Sequence, residues 1–585
     1  MPQSMSGVCS IVLFLFSLQL TAQLSALKTS NWHEAGFRGT YPVYTQTLNI
    51  MNYGGSISGA ENNSALSSAI AALNGAPGVV FFPAGVYSFT GQVNVNRDSI
   101  LFVGEGHTAT RWEFEMAGTL NHCVNISGST FSGDSSSVKK DAGRGTNTVE
   151  VQSAAAFKTG DWVYLQCNDS AFMASSWAYR SLGQILRITA VNGNTISFHS
   201  PFRFNYVLPL KPVITRIVPR QGIGVECLAI SRKDATSFQT SLLAFDKAVQ
   251  CWVKGVEGDS TNYAHVELNR CANISIYNSW FHHAFGYGGG GQAYGIVFQY
   301  SASECRAENN VFEHLRHSLL FQAGANGNVA AYNYSFDPFW QQSFFPVNSA
   351  GDVVFHGNYP FFNLVEGNVN QNTVIDNSHG QNGPFNTFFR NRMELYGLIM
   401  NAGAGDSMQY VANEIPNTGA LMGNYNLTGT GHLQHNNLVR GIVTPSAQPD
   451  LPGPSLLYST AQLPLCFNVD SQQWPLFGFA GSAEENAAKN RVKRGIKAEC
   501  ECSYEINTGV KVESSSHSFK VFPNPADKEL FVVGEAEPFS FCTPDQRVLF
   551  TFTAGEACRL DVSKIPSGCY LLKTKQRCYR VIILH

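Results

Sequence analysis

Charge is scarce in this chain. Asp, Glu, Lys and Arg make up 14% of its 585 residues, against roughly a quarter in ordinary soluble domains. The formal net charge is −3. That excludes a sequence-independent nucleic-acid binder, which needs a basic surface. Long apolar runs are missing as well. The run from Ile11 to Leu20 is broken by Ser17 and Gln19 and is too short for a bilayer, which takes about 20 residues. No transmembrane segment is expected. The 14 cysteines lack metal-ligand spacing. Cys500 and Cys502 stand too close for a zinc knuckle, and no matching pair follows. Buried thiols with a few bridges are expected instead. No Lys or Arg precedes Lys28. The apolar run followed by the small residues of Thr21-Ala22-Gln23 nevertheless reads as an export signal over residues 1–22. Export would permit disulfides.

Gly, Asn, Ser and Phe fill the place of the missing charges. The length is too great for one compact core but suits a solenoid, which grows in one dimension. Asn52-Tyr53-Gly54-Gly55 precedes a helical pattern from about Asn63 to Leu73, with Asn62 or Asn63 as N-cap. Gly78-Val79-Val80-Phe81-Phe82-Pro83-Ala84-Gly85-Val86-Tyr87 then reads as a buried strand, a turn and a second strand. Ser99 to Gly106 repeats that layout. These residues resemble the start of the pectate-lyase superfamily of β-helices, in which a short helix plugs one end of the stack. The resemblance implies an all-β fold: a right-handed parallel β-helix over residues 23–445.

Residues 146–202 break the rhythm. Gly160-Asp161-Trp162-Val163 and Ile185 to Phe198, with an Asn192-Gly193 turn, predict antiparallel hairpins forming a small inserted β-domain. From 263 to 440 an Asn recurs before an apolar pair, roughly two dozen residues apart with two longer gaps. The aligned positions are Asn278, Asn309, Asn333, Gly367 or Asn368, Asn391, Asn413 and Asn436. Asn tolerates left-handed turns and can bond to the Asn one coil away. Four prolines from Pro445 to Pro454 mark the end of the coils. A wrap and a flexible linker are expected over 446–515. Residues 516–585 form a separate unit. Phe522-Pro523-Asn524-Pro525 and the stretch from Leu560 to Tyr570 resemble the C-terminal sorting domain of the Bacteroidetes type IX secretion system, a small β-sandwich. That resemblance implies type IX machinery as a partner and a protein secreted or attached at the cell surface; a monomer is expected.

Overlaying the strands before each repeated Asn gives an outer column: Asn269, Gln299, Gln322, His356, Asp376 and Met400. Equivalent positions on stacked coils lie about 4.8 Å apart. His356 and Asp376 would then form a proton-transfer pair, with His379 in the following loop and Arg390 and Arg392 one turn on. Gln299, Gln322, Arg392 and Trp340 are the candidate substrate contacts, and an Arg could neutralise a uronate carboxylate. The same column also reads as a hydrogen-bonded ladder with no catalytic role. A second column holds His282, Glu313 and Asp337, with His283 and His314 beside them, then Arg316 and His317. The leading function is a polysaccharide lyase acting on a uronate polymer by β-elimination. The alternatives are a glycoside hydrolase and a non-catalytic glycan-binding adhesin. No metal ligands are assigned. Calcium is the one cofactor that the resemblance leaves open, and the acidic cluster it needs is not evident.

Overall fold

The computed structural model describes residues 41–342 and 344–447 continuously, with parts of 21–39, 451–500 and 520–583. The expected export signal falls outside the described residues except for Thr21 and Ala22. Cys502 and Pro523-Asn524-Pro525 also fall outside them.

Short parallel strands stack into a coil with three faces. The first face is a ladder of twelve strands, from Gln46–Asn49 through Gly78–Phe82 and Leu364–Glu366 to Leu433–His435. The second carries strands such as Glu257–Thr261, Trp280–Ala284, Val311–Glu313 and Tyr334–Phe336. The third carries Ala264–Asn269, Tyr294–Gln299, His317–Phe321 and Val353–Phe355. Val369–Ile375 and Arg392–Met400 are long enough to serve the second and third faces in one strand.

The side chains explain the stack. On the third face Phe298, Phe321 and Phe355 point inward and lie ring on ring, each pair of centroids 4.7 Å apart. Each stacked pair adds about 0.5–1.5 kcal/mol to the burial of its area. The turn from the first to the second face is equally regular. One residue takes the left-handed conformation, and the next is an Asn whose amide bonds to the Asn one coil on. The ladder runs Asn310, Asn333, Asn368, Asn391, Asn413, Asn437, with links of 2.9 to 3.0 Å. The residues before them, including Asn309, Gly367 and Asn436, have φ between 47° and 65°. The aligned sequence positions therefore mixed two adjacent roles: Asn278, Asn309, Gly367 and Asn436 make the bend, and their successors are at ladder positions. Asn suits both, which is why sequence spacing alone did not separate them. A second ladder, Asn328, Asn363 and Asn386, lines the turn from the third face to the first.

The helix Asn63–Ala72 buries Ala65, Leu66 and Ala69 in the same core as Ile50 and Phe82, closing one end. Between Val124–Ser127 and Ile223–Glu226 the chain leaves the coil and builds a six-stranded antiparallel sheet. Its strands Ser129–Ser137 and Val213–Val218 lie outside the expected 146–202. This insert packs its core against Ala323, Phe361 and Phe362 in the turns after the third face. Buried Arg203 holds it there, bonding Glu304 and Asn326 at 2.7 Å each.

Leu457, Leu476 and Phe477 cover the outer side of the first face over Val329, Leu364 and Phe389. Cys227–Cys500 ties the end of this wrap to the coil. Residues 487–493, expected within a flexible linker, are helical, and Arg491 donates to the Asn309 carbonyl at 2.9 Å. Further on, a three-stranded and a four-stranded antiparallel sheet share a core that includes Leu530, Phe541, Leu572 and Ile583. Among the described residues no helix is long and apolar enough to cross a membrane.

Candidate active site

The outer side of the third face carries the candidate column. Asn269 pairs with Gln299, and the neighbouring registers then place Gln322, His356, Asp376 and Asn401 in line. Asn401 replaces Met400 in that line, because Met400 pairs with Ile375 and points inward into the core. The spacing predicted His356 beside Asp376, and the chain brings them together. Nδ1 of His356 lies 2.7 Å from Oδ2 of Asp376, with both side chains largely buried. The Ser378 N–H donates to the other carboxylate oxygen at 2.9 Å. Burial works to raise the Asp376 carboxyl, but the hydrogen bond and charge of His356 and the Ser378 N–H outweigh it. The acid is held below its ordinary range. An ionised Asp376 orients the ring of His356, with Nδ1 turned to the carboxylate.

A ring of aromatic and basic groups surrounds the pair. His379 stands edge-on to His356 at 4.9 Å. Burial, with the charge of His356 second, lowers its pKa. Ser175 and Trp177 of the insert hold it, at 3.1 Å to Nδ1 and 5.2 Å between rings. Asn358 fixes that part of the insert by accepting from the Ala174 and Ser175 N–H groups at 2.9 and 3.1 Å. On the other side the rings of His317 and His356 are 6.0 Å apart. His317 Nδ1 lies 2.8 Å from the Gly351 carbonyl, while among the described residues Nε2 has no partner. Burial pushes His317 well below its ordinary pKa, so its ring is neutral. Tyr294 stacks on His317 at 5.1 Å. The Arg316 guanidinium lies between the rings of Tyr294 and Trp340, 5.8 and 5.6 Å from their centroids. It donates to the Gly288 carbonyl at 2.9 Å, and its buried Nε has no partner among the described residues.

Gln299 and Gln322 continue the column. Gln322 donates to Gln299 at 2.6 Å, and Gln299 reaches Glu267 at 3.2 Å. This stretch is a hydrogen-bonded ladder, and the His356–Asp376 pair stands at its end.

Two candidates sit elsewhere. Arg390 occupies the bend between the first and second faces, away from the groove. It donates to the Gly453, Phe477 and Phe479 carbonyls at 2.8 to 3.0 Å, clamping the wrap. Arg392 lies on the second face, paired with Glu394 at 3.1 Å and with Glu414. Sequence distance placed both near Asp376, but half a coil puts them on other faces. Arg316, which the sequence reading set in the second column, packs instead against Tyr294 and Trp340, next to His317. In that column His282 aligns with Glu313 and Phe336, while Asp337 pairs one position over with His314 at 2.7 Å. Tyr294 and the insert residues Ser175 and Trp177 were missed altogether. The insert returns to the groove only through tertiary packing, which no local spacing reports.

The donor set does not suit calcium. Asp376 is taken up by His356 and Ser378. Glu267 is taken up by Ser241 at 2.7 Å, Asn269 at 2.7 Å and Gln299. Among the described residues no three or more His, Cys, Asp or Glu side chains converge to hold a metal.

Fold and site together define a parallel β-helix with a column of polar and aromatic side chains along the outer side of its third face. No family model matches the chain, and no curated protein matches it. Solved structures do resemble it. The tailspike protein gp49 of Pseudomonas phage LKA1 aligns at 16% identity and TM-score 0.45, over 63% of this chain and 64% of that one. The A-module of Azotobacter vinelandii mannuronan C-5 epimerase AlgE4 aligns at 12% identity and TM-score 0.34, over 63% and 77%. A GH87 alpha-1,3-glucanase catalytic unit from Streptomyces thermodiastaticus aligns at 11% identity and TM-score 0.30, over 68% and 70%. This chain spans just under two thirds of the gp49 chain.

Proposed function

We propose that this protein is a secreted polysaccharide lyase that cleaves a uronate-containing polymer in the groove of the third face. The observation that carries the reading is the His356–Asp376 pair at 2.7 Å, with the Arg316 guanidinium joined to it through the stacked rings of Tyr294 and His317. β-Elimination needs a base and a positive charge, and these groups supply both. Arg316 holds the uronate carboxylate and stabilises the carbanion formed next to it. His356 Nε2 takes the proton from that carbon, while Asp376 stabilises the imidazolium. The C–H electron pair becomes a carbon–carbon double bond as the glycosidic C–O bond breaks. The leaving oxygen then takes the proton back from His356. His379 and Trp177 close the groove on the insert side.

Hydrolysis fits less well. It uses two carboxylates about 5–9.5 Å apart. Asp376 and Glu267, the buried carboxylates on this outer side among the described residues, sit on strands four steps apart, about 19 Å at 4.8 Å per step. Export rests on the signal-like residues 1–22 and on the sorting-domain resemblance of residues 516–585. The antiparallel sheets of that unit support it.

The test is a panel of uronate polysaccharides assayed for the ultraviolet absorbance of an unsaturated uronate end. Wild-type protein raises the absorbance on at least one polymer, and His356→Ala does not. New reducing ends without absorbance would mean a hydrolase. Binding with neither would mean an adhesin.

A further inference from the structure

A second feature opens on the same side of the coil, at the strands that begin with Leu243, Ala264 and Tyr294. The loop before Leu243 and the glycine-rich loop 286–291 enclose a cleft of about 180 Å³. Its walls are Phe238, Gln239, Asn262, Phe285, Gly291 and Gln292. Phe238 is 67% exposed and Phe285 41%, so two phenyl faces stand open to water at its mouth. Between them lie carboxamides and peptide groups, with no charged residue in the lining. The nearby Asp234 carboxylate is consumed by Arg232 at 3.0 Å and by the Met116 and Gly118 N–H groups at 3.0 and 2.7 Å.

The glycines make the cleft possible. Gly290 and Gly291 have φ of 86° and 78°. A Cβ on Gly291 would lie 2.0 Å from the Gln239 amide nitrogen. The back of the cleft meets Tyr263, whose hydroxyl donates to Gln299 at 3.1 Å. From Tyr263 a line of ring contacts runs to Tyr294 at 5.3 Å, His317 at 5.1 Å and His356 at 6.0 Å. The cleft and the His356–Asp376 pair are thus linked by a chain of packed rings on the same face. The Tyr294 and Val353 strands are two steps apart, about 10 Å along the axis.

We propose that this cleft binds one uncharged hexose or N-acetylhexosamine residue of the polysaccharide whose uronate lies against Arg316. Such a sugar has an apolar ring face for phenyl stacking and a rim of hydroxyls for amides, and it asks for no counter-charge. The inference rests on the uronate reading of the groove and extends it. The substrate is a heteropolymer in which neutral and uronate residues share a chain, a few residues apart.

The experiment uses the full chain, its His356→Ala variant and a Phe238→Ala/Phe285→Ala double variant. Both phenyls are exposed, so circular dichroism of the double variant is expected to match wild type. Neutral disaccharides (cellobiose, maltose, laminaribiose and N,N′-diacetylchitobiose) are titrated by saturation-transfer NMR. At least one binds wild type and His356→Ala equally and binds the double variant about tenfold more weakly. On a polymer alternating uronate with a neutral sugar, the double variant raises KM about tenfold and leaves kcat within twofold. On a uronate homopolymer it changes neither. The proposal is overturned if no neutral disaccharide binds, or if the double variant binds and turns over like wild type. A wild type that binds the neutral sugar through Phe238 and Phe285 yet cleaves no uronate polymer would sink the lyase reading and leave the cleft assigned.

Discussion

His356 does its proposed work because Asp376 settles which nitrogen carries the proton. With the carboxylate held ionised below its usual range, Nδ1 is turned to Asp376, and in the proposed reaction Nε2 is the base. Removing the base in His356→Ala is expected to lower kcat by about 10²–10⁴-fold with the fold intact. Asp376→Asn should lower kcat too, because an amide can stabilise the wrong tautomer. Normal turnover by either variant would place the chemistry elsewhere. A second histidine makes a prediction about stability. His265 is buried against Phe281, and burial, with the charge of His282 second, depresses its pKa well below the ordinary 6.5. Its ring is neutral when folded but takes a proton when unfolded. The stability it contributes is complete above that ordinary value and is lost as pH falls below it. The melting temperature should therefore fall between about pH 7 and pH 5, and fall less in His265→Phe. Equal slopes for the two proteins would refute this account of His265.

At the scale of elements, the coil was legible and its fine register was not. The Phe and Asn positions are set by inward packing and by the turn, both local to each coil, so they leave a period in the sequence. The one-residue ambiguity between the bending residue and the ladder residue arose because Asn serves both. The same period placed His356 beside Asp376, since a strand-to-strand neighbour is a matter of counting. It misplaced Arg390 and Arg392, because a few residues past a turn carry the chain onto another face. It missed Trp177 and Ser175, because the insert folds back across some 200 residues to reach His379. The ladder itself is testable. In Asn368→Ala the Asn333 backbone N–H and side-chain amide lose their acceptor deep in the coil. Each orphaned group costs roughly 1–3 kcal/mol. The melting temperature measured by circular dichroism should drop by several degrees or more, and an unchanged one would mean that the ladder contributes little.

At the scale of the whole molecule, the coil packs with the insert on the turns after its third face and with the wrap over its first face, while the sheets within 520–583 have a core of their own. Wrap and groove lie on different faces, so they should be separable. Arg390→Ala leaves three wrap carbonyls without their cation. It is expected to lower the melting temperature and speed proteolysis within 451–500, with kcat and KM on the polysaccharide unchanged. A loss of kcat in a folded Arg390→Ala protein would return that residue to the candidate site. The central claim is that the third face is where the polymer lies. The most direct measurement is a crystal structure of the His356→Ala protein soaked with a uronate oligosaccharide taken from the polymer that the wild type cleaves. The account predicts sugar density along the third face, with a uronate carboxylate on Arg316 and the chain passing between Trp177 and the Phe238–Phe285 cleft. Density confined to the first or second face would contradict it.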